Sequence, residues 1–278
     1  MGVGVFLAVL FAAFLHAAWN AVIKSGTNKL QGMVLLSIAH AFIGLAMVIA
    51  FPVPDPAAFV WLAISVVLHL IYKTFLTLAY QKGDLSRVYP ISRGTAPVMV
   101  LIVSLLFLND EFSAWQMAGV VLVGFGILMM ARGVFTNDEQ RGLLPFALIA
   151  AMGTAGYTLA DGIGARVSLH PSAFVGWVFL LDSILFTSWA LAFKGLKVLP
   201  KQPRVWALGL VAGSASVVAY WIAVWAMTVA PIALVATLRE TSVLFAVLIG
   251  VVFLKEKSDK GKVLAALVIV SGIVLMRL

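Results

Sequence analysis

Long apolar stretches, most of them roughly twenty residues long, alternate with short polar connections along the whole chain. A helix needs about 20 apolar residues to cross about 30 Å of hydrocarbon. Because no water is available inside a bilayer, each such segment must satisfy its own backbone hydrogen bonds, which favours helices. The pattern predicts an all-α integral membrane protein with ten transmembrane helices, near 3–23, 30–51, 57–80, 88–108, 114–131, 143–165, 172–193, 205–228, 231–254 and 262–277.

The composition supports this prediction and excludes several classes of protein. Hydrophobic residues make up 63% of the chain and charged residues 11%, with a mean hydropathy of +1.10; a soluble domain carries about 25% charged residues. The net charge of +8 comes from short clusters between apolar stretches, so we expect a lipid bilayer as partner and no nucleic acid. Without cysteine there is no thiolate metal site, and no motif predicts a cofactor or another metal site.

The basic residues predict the orientation. Odd-numbered connections hold fourteen of the nineteen Lys and Arg residues. The even-numbered connections and the termini hold only Arg166 and Arg277, and the remaining three lie inside predicted spans. The positive-inside rule therefore places the odd connections in the cytoplasm and both termini in the periplasm. Because no Lys or Arg precedes Lys24, we expect the first span to be retained and not cleaved as a signal peptide.

The two halves of the chain resemble each other. A shift of 146 residues aligns RGTAPVMVLIVSLLFLND (93–110) with RETSVLFAVLIGVVFLKE (239–256), so that Arg93 meets Arg239 inside the membrane. A shift of 138 residues aligns the first helices, where Trp19 meets Tyr157. An odd number of spans per copy inverts the second copy. We therefore predict one membrane domain, 1–278, built from inverted five-helix repeats 1–135 and 142–278 around a central cavity.

Three motifs carry a resemblance to a known family: HAAWNAVIK (16–24), GDLSRVYPISRGTAPV (83–98) and the acidic end of that span, LNDE (108–111). With the five-plus-five repeat they resemble the EamA-type ten-helix transporters of the drug/metabolite transporter superfamily. The resemblance implies a multi-pass protein of the bacterial inner (plasma) membrane that acts as a monomer. It also implies a secondary transporter, not an enzyme, that exports amino acids, including aromatic ones, or related small metabolites by alternating access.

Polar and aromatic side chains form helical stripes inside the predicted spans. His16, Trp19, Asn20 and Lys24 share one helix face by their spacing, and similar stripes occur in spans 3, 6 and 8. A cavity for a small zwitterion needs aromatic walls and a few convergent polar groups. We therefore predict the following substrate-binding residues: His16, Trp19, Asn20, His69, Tyr72, Tyr80, Tyr157, Asp161, Trp221, Trp225 and Arg239.

Pro90 and Pro97 flank Arg93 and predict a bendable segment or helix break, because a proline frees the carbonyl four residues earlier. Arg93 has two interpretations, a structural or gating ion pair and attraction of a substrate carboxylate; we favour the first. Arg239 is expected nearer the substrate path, partly neutralised by the adjacent Glu240. Small residues seven apart, Gly119 with Gly126 and Ala265 with Gly272, predict close helix packing.

Several alternatives stay open. Proton coupling could run through His16, Asp161 or Asp182, and a facilitator without coupling is equally compatible with the sequence. Other cargo, such as a nucleotide sugar, a cationic drug or an organic phosphate, is the main rival. An intramembrane enzyme acting on lipid-linked substrates is less favoured, since the chain has neither an H-E-x-x-H nor a G-x-S-x-G motif.

Overall fold

The computed structural model describes residues 1–25, 29–82, 85–108, 110–130, 141–252 and 260–278. These residues contain no strand and fold almost entirely into α-helices joined by short connections. The helices are α1 (Val3–Ser25), α2 (Lys29–Ala50), α3 (Ala58–Lys82), α4 (Leu85–Phe107), α5 (Ala114–Met129), α6 (Leu144–Val167), α7 (Pro171–Lys194), α8 (Pro203–Val229), α9 (Ile232–Arg239), α10 (Ser242–Val252) and α11 (Lys260–Leu275).

The helices confirm the predicted all-α membrane fold. Eight segments of the described chain are long and apolar enough to cross a bilayer: α1 to α4, α6 to α8, and the segment Ile232–Val252 that α9 and α10 form together. The other two predicted spans correspond to α5 and α11, which are shorter, with 16 residues each. The ten segments follow the predicted order along the chain.

The ninth span is interrupted where the fourth is not. Glu240 and Thr241 form a turn between α9 and α10, in which Thr241 donates to the Leu238 carbonyl at 3.1 Å, a bond over three residues. By contrast, α4 is helical through both Pro90 and Pro97, so the predicted break in span 4 is wrong. Close packing on α5 favours a continuous α4: a Cβ at Gly94 would lie 2.9 Å from the Gly124 carbonyl oxygen.

The two halves interleave as inverted repeats should. Helix α3 of the first half packs on α6 of the second, and its counterpart α8 packs on α1. Likewise α4 packs on α6, while α9 and α10 pack on α1. The remaining contacts between the halves include counterpart pairs, α2 with α7 and α5 with α11. Most helices therefore pack against the opposite half, and the interior lies between the repeats.

Glycines allow the counterpart helices to approach closely. A Cβ at Gly119 of α5 would lie 2.6 Å from the Gly272 carbonyl oxygen of α11. A Cβ at Gly44 of α2 would lie 2.9 Å from the Gly176 carbonyl oxygen of α7. The predicted close packing at Gly119 and Gly272 is thus confirmed. Small residues are the usual way to bring two membrane helices together.

Both termini lie at the same end of the helices. Arg277 donates to the Met1 carbonyl oxygen at 2.9 Å. We call this end the termini face; it also carries the even-numbered connections, such as the one where the Asp55 amide donates to the Ser168 carbonyl at 3.3 Å. The other end, with the odd-numbered connections, is called the opposite face.

Candidate functional site

A buried cluster of two arginines and one glutamate lies between the halves. Arg93 Nη1 of α4 is 3.1 Å from Glu240 Oε1, and Arg239 Nη2 is 3.7 Å from the same oxygen. Exposed side-chain fractions are only 7% for Arg93, 8% for Arg239 and 3% for Glu240. Arg239 Nη2 also contacts Thr158 Oγ1, and Arg93 Nη2 contacts the Tyr72 hydroxyl, both at 3.5 Å. This central cluster carries two positive charges and one negative charge.

Helix α1 packs on α9, and three buried polar atoms of α1 and of the end of α9 have no hydrogen-bond partner among the described residues: Trp19 Nε1, Arg239 Nε and Glu240 Oε2. Buried polar atoms in folded proteins are nearly always paired, and each exception needs an explanation. Two of these atoms are donors and one is an acceptor. These atoms can therefore form hydrogen bonds of both kinds that the described residues do not use.

A group of aromatic rings adjoins the central cluster. Tyr157 of α6 stacks on His69 of α3 with ring centroids 4.0 Å apart, and it meets Tyr72 edge-on at 5.5 Å. The Tyr72 ring lies 5.9 Å from the Arg93 guanidinium. The close approach of α3 to α6 depends on Gly153, where a Cβ would lie 3.1 Å from the Tyr72 backbone. A side chain at position 153 would therefore push these rings apart.

The stripe on α1 faces the same region. The His16 and Trp19 rings meet edge-on at 5.0 Å, and the Asn20 amide donates to the His16 carbonyl at 2.7 Å. His16 lies within electrostatic range of Arg93 and Arg239. Helix α1 packs on α8, α9 and α10 of the other half, which brings this stripe to the interface between the repeats.

A second group, the carboxylate network, lies between α3, α6 and α8. Ser65 Oγ donates to Asp161 Oδ1 at 2.5 Å, and the Tyr220 hydroxyl donates to Asp161 Oδ2. His69 Nδ1 is 3.0 Å from the Ser65 carbonyl oxygen and 3.2 Å from Ser65 Oγ. Asp161 and Ser65 are fully buried, and His69 is nearly so. Since His69 also stacks on Tyr157, the network adjoins the central cluster.

An ion pair also joins α3 to α7. Lys73 Nζ is 2.8 Å and 2.6 Å from the two carboxylate oxygens of Asp182, and it lies 4.9 Å from the Phe186 ring centroid. Both side chains are largely buried. Within the described ranges, no group of three or more His, Asp or Glu residues could hold a metal ion.

A fourth polar group lies at the termini face, and we call it the termini-face latch. Arg166, at the end of α6, contacts Asp110 at 3.0 Å and donates to the carbonyls of Met227 at 2.8 Å and Ala230 at 3.0 Å. Asp110 Oδ2 also accepts from the Ile232 amide at 3.2 Å, at the start of α9. The latch thus connects the ends of α4, α6, α8 and α9.

The structure gathers most, but not all, of the predicted binding residues. Those near the two interior groups are His16, Trp19, Asn20, His69, Tyr72, Tyr157, Asp161 and Arg239, together with Arg93. Tyr80 belongs to α3, but its side chain lies outside the described part of the chain, so its predicted binding role stays a prediction. Pro90 and Pro97 lie inside α4. Binding or gating roles for these residues remain predictions.

Trp221 and Trp225 lie elsewhere. They are 37% and 40% exposed and share their face of α8 with the exposed Val211 and Val218. Trp221 Nε1 donates to Ser172 at 3.0 Å, away from the carboxylate network. The residue of α8 that reaches this network is Tyr220, which is not among the residues predicted from the polar stripes. The one sequence pattern that could have identified Tyr220 as an interior residue is its position four residues after Ser216, on a helix face of small residues.

Comparisons with known proteins agree with this architecture. The model of the EamA-like transporter family matches twice, at residues 3–132 and 142–278. An uncharacterized protein of Methanocaldococcus jannaschii is 27% identical over 135 residues, which are 47% of this chain and 98% of that relative. A crystal structure described only as that of a protein superposes with a TM-score of 0.77 at 17% identity, covering 98% of this chain and 96% of the other. The chain belongs to the EamA-like transporter family, with one copy of the family unit in each half.

Proposed function

We propose that this protein is a secondary transporter that exports amino acids, aromatic ones among them, or related small metabolites by alternating access of its two halves. Family membership supports a transporter of small molecules and not an enzyme. The observation that carries the proposed cargo is the set of unpartnered buried atoms beside the central cluster. We further propose a monomer in a bacterial inner membrane with both termini in the periplasm, as the basic residues indicate.

The unpartnered atoms complement both ends of an amino acid. A substrate carboxylate would accept from Arg239 Nε and from the Trp19 indole, while an ammonium group would donate to Glu240 Oε2. Hydrogen bonds that involve charged partners are about twice as strong as neutral ones. The rings of Tyr157, Tyr72 and His16 supply the aromatic walls that a side chain needs.

Other cargo fits less well. A cationic drug would favour a carboxylate free of basic neighbours, but Glu240 lies against Arg93 and Arg239. An organic phosphate would favour two available basic groups, whereas Arg93 is already paired with Glu240. Because the cluster carries a net positive charge, an organic anion remains the second candidate.

The test is transport into proteoliposomes with a panel of labelled amino acids. A nucleotide sugar, a quaternary amine and an organic phosphate serve as competing substrates. We expect counterflow of at least one amino acid, with saturation, and no competition from the quaternary amine. Arg239→Gln should reduce this counterflow strongly in folded protein, because the substrate carboxylate loses its charged partner. Transport of the amine or the phosphate, without any amino acid, would contradict the proposed cargo.

A further inference from the structure

Asp161 differs from the other buried carboxylates of the described chain. Asp182 is paired with Lys73, and Glu240 with Arg93. Among the described residues, no Lys, Arg or His lies within ion-pair distance of Asp161, whose hydrogen bonds come from two hydroxyls, those of Ser65 and Tyr220. A buried ionised carboxylate without a cationic partner is costly, and protonation removes that cost.

The neighbours of Asp161 are arranged for a change of protonation. A carbonyl oxygen can only accept, so the contact of His69 Nδ1 with the Ser65 carbonyl places a proton on Nδ1. The Ser65 hydroxyl is then free to donate to Asp161. When Asp161 carries a proton, one hydroxyl can rotate and accept from it, because a hydroxyl is both a donor and an acceptor.

Titratable and charged groups face this region from every helix packed around α6. They are His69 and Tyr72 of α3, Arg93 of α4, Tyr157 of α6 itself, Asp182 of α7 with its partner Lys73, Tyr220 of α8, and Arg239 and Glu240 at the end of α9. The Lys73–Asp182 pair cancels its own charge. When Asp161 is ionised, the charges of the two arginines, Glu240 and Asp161 sum to zero.

We propose that Asp161 is the proton-binding site that couples export to proton entry, an inference that rests on the proposed transport function. A zwitterion without net charge suits the neutral interior formed by ionised Asp161. A proton bound to Asp161 leaves one excess positive charge, which opposes the substrate ammonium. Proton and substrate therefore exclude each other, as antiport requires. The proton enters from the periplasm, binds the carboxylate and leaves to the cytoplasm.

Infrared difference spectroscopy tests the proton site without any substrate. Between alkaline and acidic buffer, the wild-type protein should gain a carboxylic-acid C=O band that Asp161→Asn lacks. Asp55→Asn is the matched control, because the Asp55 side chain accepts from the nearby Ala57 amide in an exposed connection; this variant should retain the band. A band that persists in Asp161→Asn, or is absent from the wild type, overturns the proposal.

Coupling is tested in proteoliposomes with the best amino acid of the panel. A pH gradient should raise accumulation above the level of gradient-free counterflow in the wild type, and it should give no such increase in Asp161→Asn. Wild-type ΔpH dependence in the variant overturns the proposal. If no amino acid is transported by the wild type, the proposed cargo fails, and the infrared band still decides the proton site. If Asp161→Asn does not fold, Tyr220→Phe takes its place: an altered pH profile of the band supports the network, and an unaltered one contradicts it.

Discussion

Arg93 and Arg239 occupy equivalent positions in the two repeats, yet their surroundings differ. Glu240 follows Arg239 in sequence, but its nearest guanidinium nitrogen belongs to Arg93, at 3.1 Å against 3.7 Å for Arg239. The turn after α9 directs the carboxylate across the interface towards α4. Arg93 thus has a full partner, while Arg239 retains an unpartnered Nε. We expect the first to stabilise the contact between the halves and the second to bind substrate.

Substituting each arginine by lysine should separate these roles. Lysine keeps the charge but loses the planar fork of donors, including Nε. We expect Arg239→Lys to raise the KM of counterflow by about tenfold, the equivalent of about 1.4 kcal/mol, with little change in stability. Arg93→Lys should chiefly lower the maximal rate or the melting temperature. Kinetics on matched amounts of folded protein decide this, and identical behaviour of the two variants would show that repeat symmetry still governs function.

Trp19 and Trp189 allow a similar comparison between the interior and the outer surface. Trp19 is partly buried beside His16 with an unpartnered indole nitrogen, whereas Trp189 is 44% exposed and contacts Phe186 and Phe193 on its own helix. Trp19→Ala should weaken transport several-fold while the protein remains folded, and Trp189→Ala should not. Counterflow and size-exclusion chromatography measure the two effects. Misfolding of Trp19→Ala alone would indicate a packing role.

At the scale of the helices, glycine contacts determine how closely counterpart elements pack. Gly119→Ala places a methyl group 2.6 Å from the Gly272 carbonyl oxygen, so α5 and α11 must move apart. Overpacking of this kind typically costs about 1–3 kcal/mol. We expect a lower melting temperature, measured by thermal unfolding in detergent. Gly4→Ala, where nothing lies within 4 Å, is the control and should be neutral or slightly stabilising; equal losses for both would contradict the packing argument.

At the scale of the whole molecule, the termini-face latch holds the ends of four helices together. The proposed alternating access requires the latch to open. Since the chain has no cysteine, a single Leu159→Cys, in the apolar core around α6, reports access from the termini face. When Arg166→Gln is added to this variant, a membrane-impermeant maleimide should label the introduced cysteine several-fold faster. The matched change Arg204→Gln, at an exposed position of the opposite face, should not. Unchanged labelling would show that the ion pair does not control access.

The orientation of the molecule gives another prediction. With both termini at one face and the basic connections at the other, we expect the termini in the periplasm. A C-terminal alkaline phosphatase fusion should be enzymatically active, and a C-terminal GFP fusion should show no fluorescence. Strong cytoplasmic fluorescence would reverse the topology and place the termini-face latch at the cytoplasmic end.

The sequence predicted the positions of the spans more reliably than the rotation of each helix. Apolar length is a local property, so it can be read along the chain. Which face of a helix turns inward depends on its neighbours: α8 has aromatic residues on two faces, and packing on α1 and α2 turns Tyr220 inward and leaves Trp221 exposed. For the same reason the sequence wrongly predicted a helix break at Pro90 and Pro97. The packing of α4 on α5, which favours a continuous helix, depends on tertiary contacts.

By itself the sequence determined an all-α membrane protein with two related halves and an arginine at equivalent positions of each, because hydrophobic length and repetition are properties of the linear chain. Only the tertiary structure decided which charges meet. Arg93 and Glu240 are 147 residues apart, and Asp161 and Ser65 are 96 apart. Their contacts exist because the inverted halves interleave. Helix packing therefore pairs Glu240 with Arg93 and, among the described residues, leaves Asp161 hydrogen-bonded by two hydroxyls. No local pattern in the sequence predicts this difference.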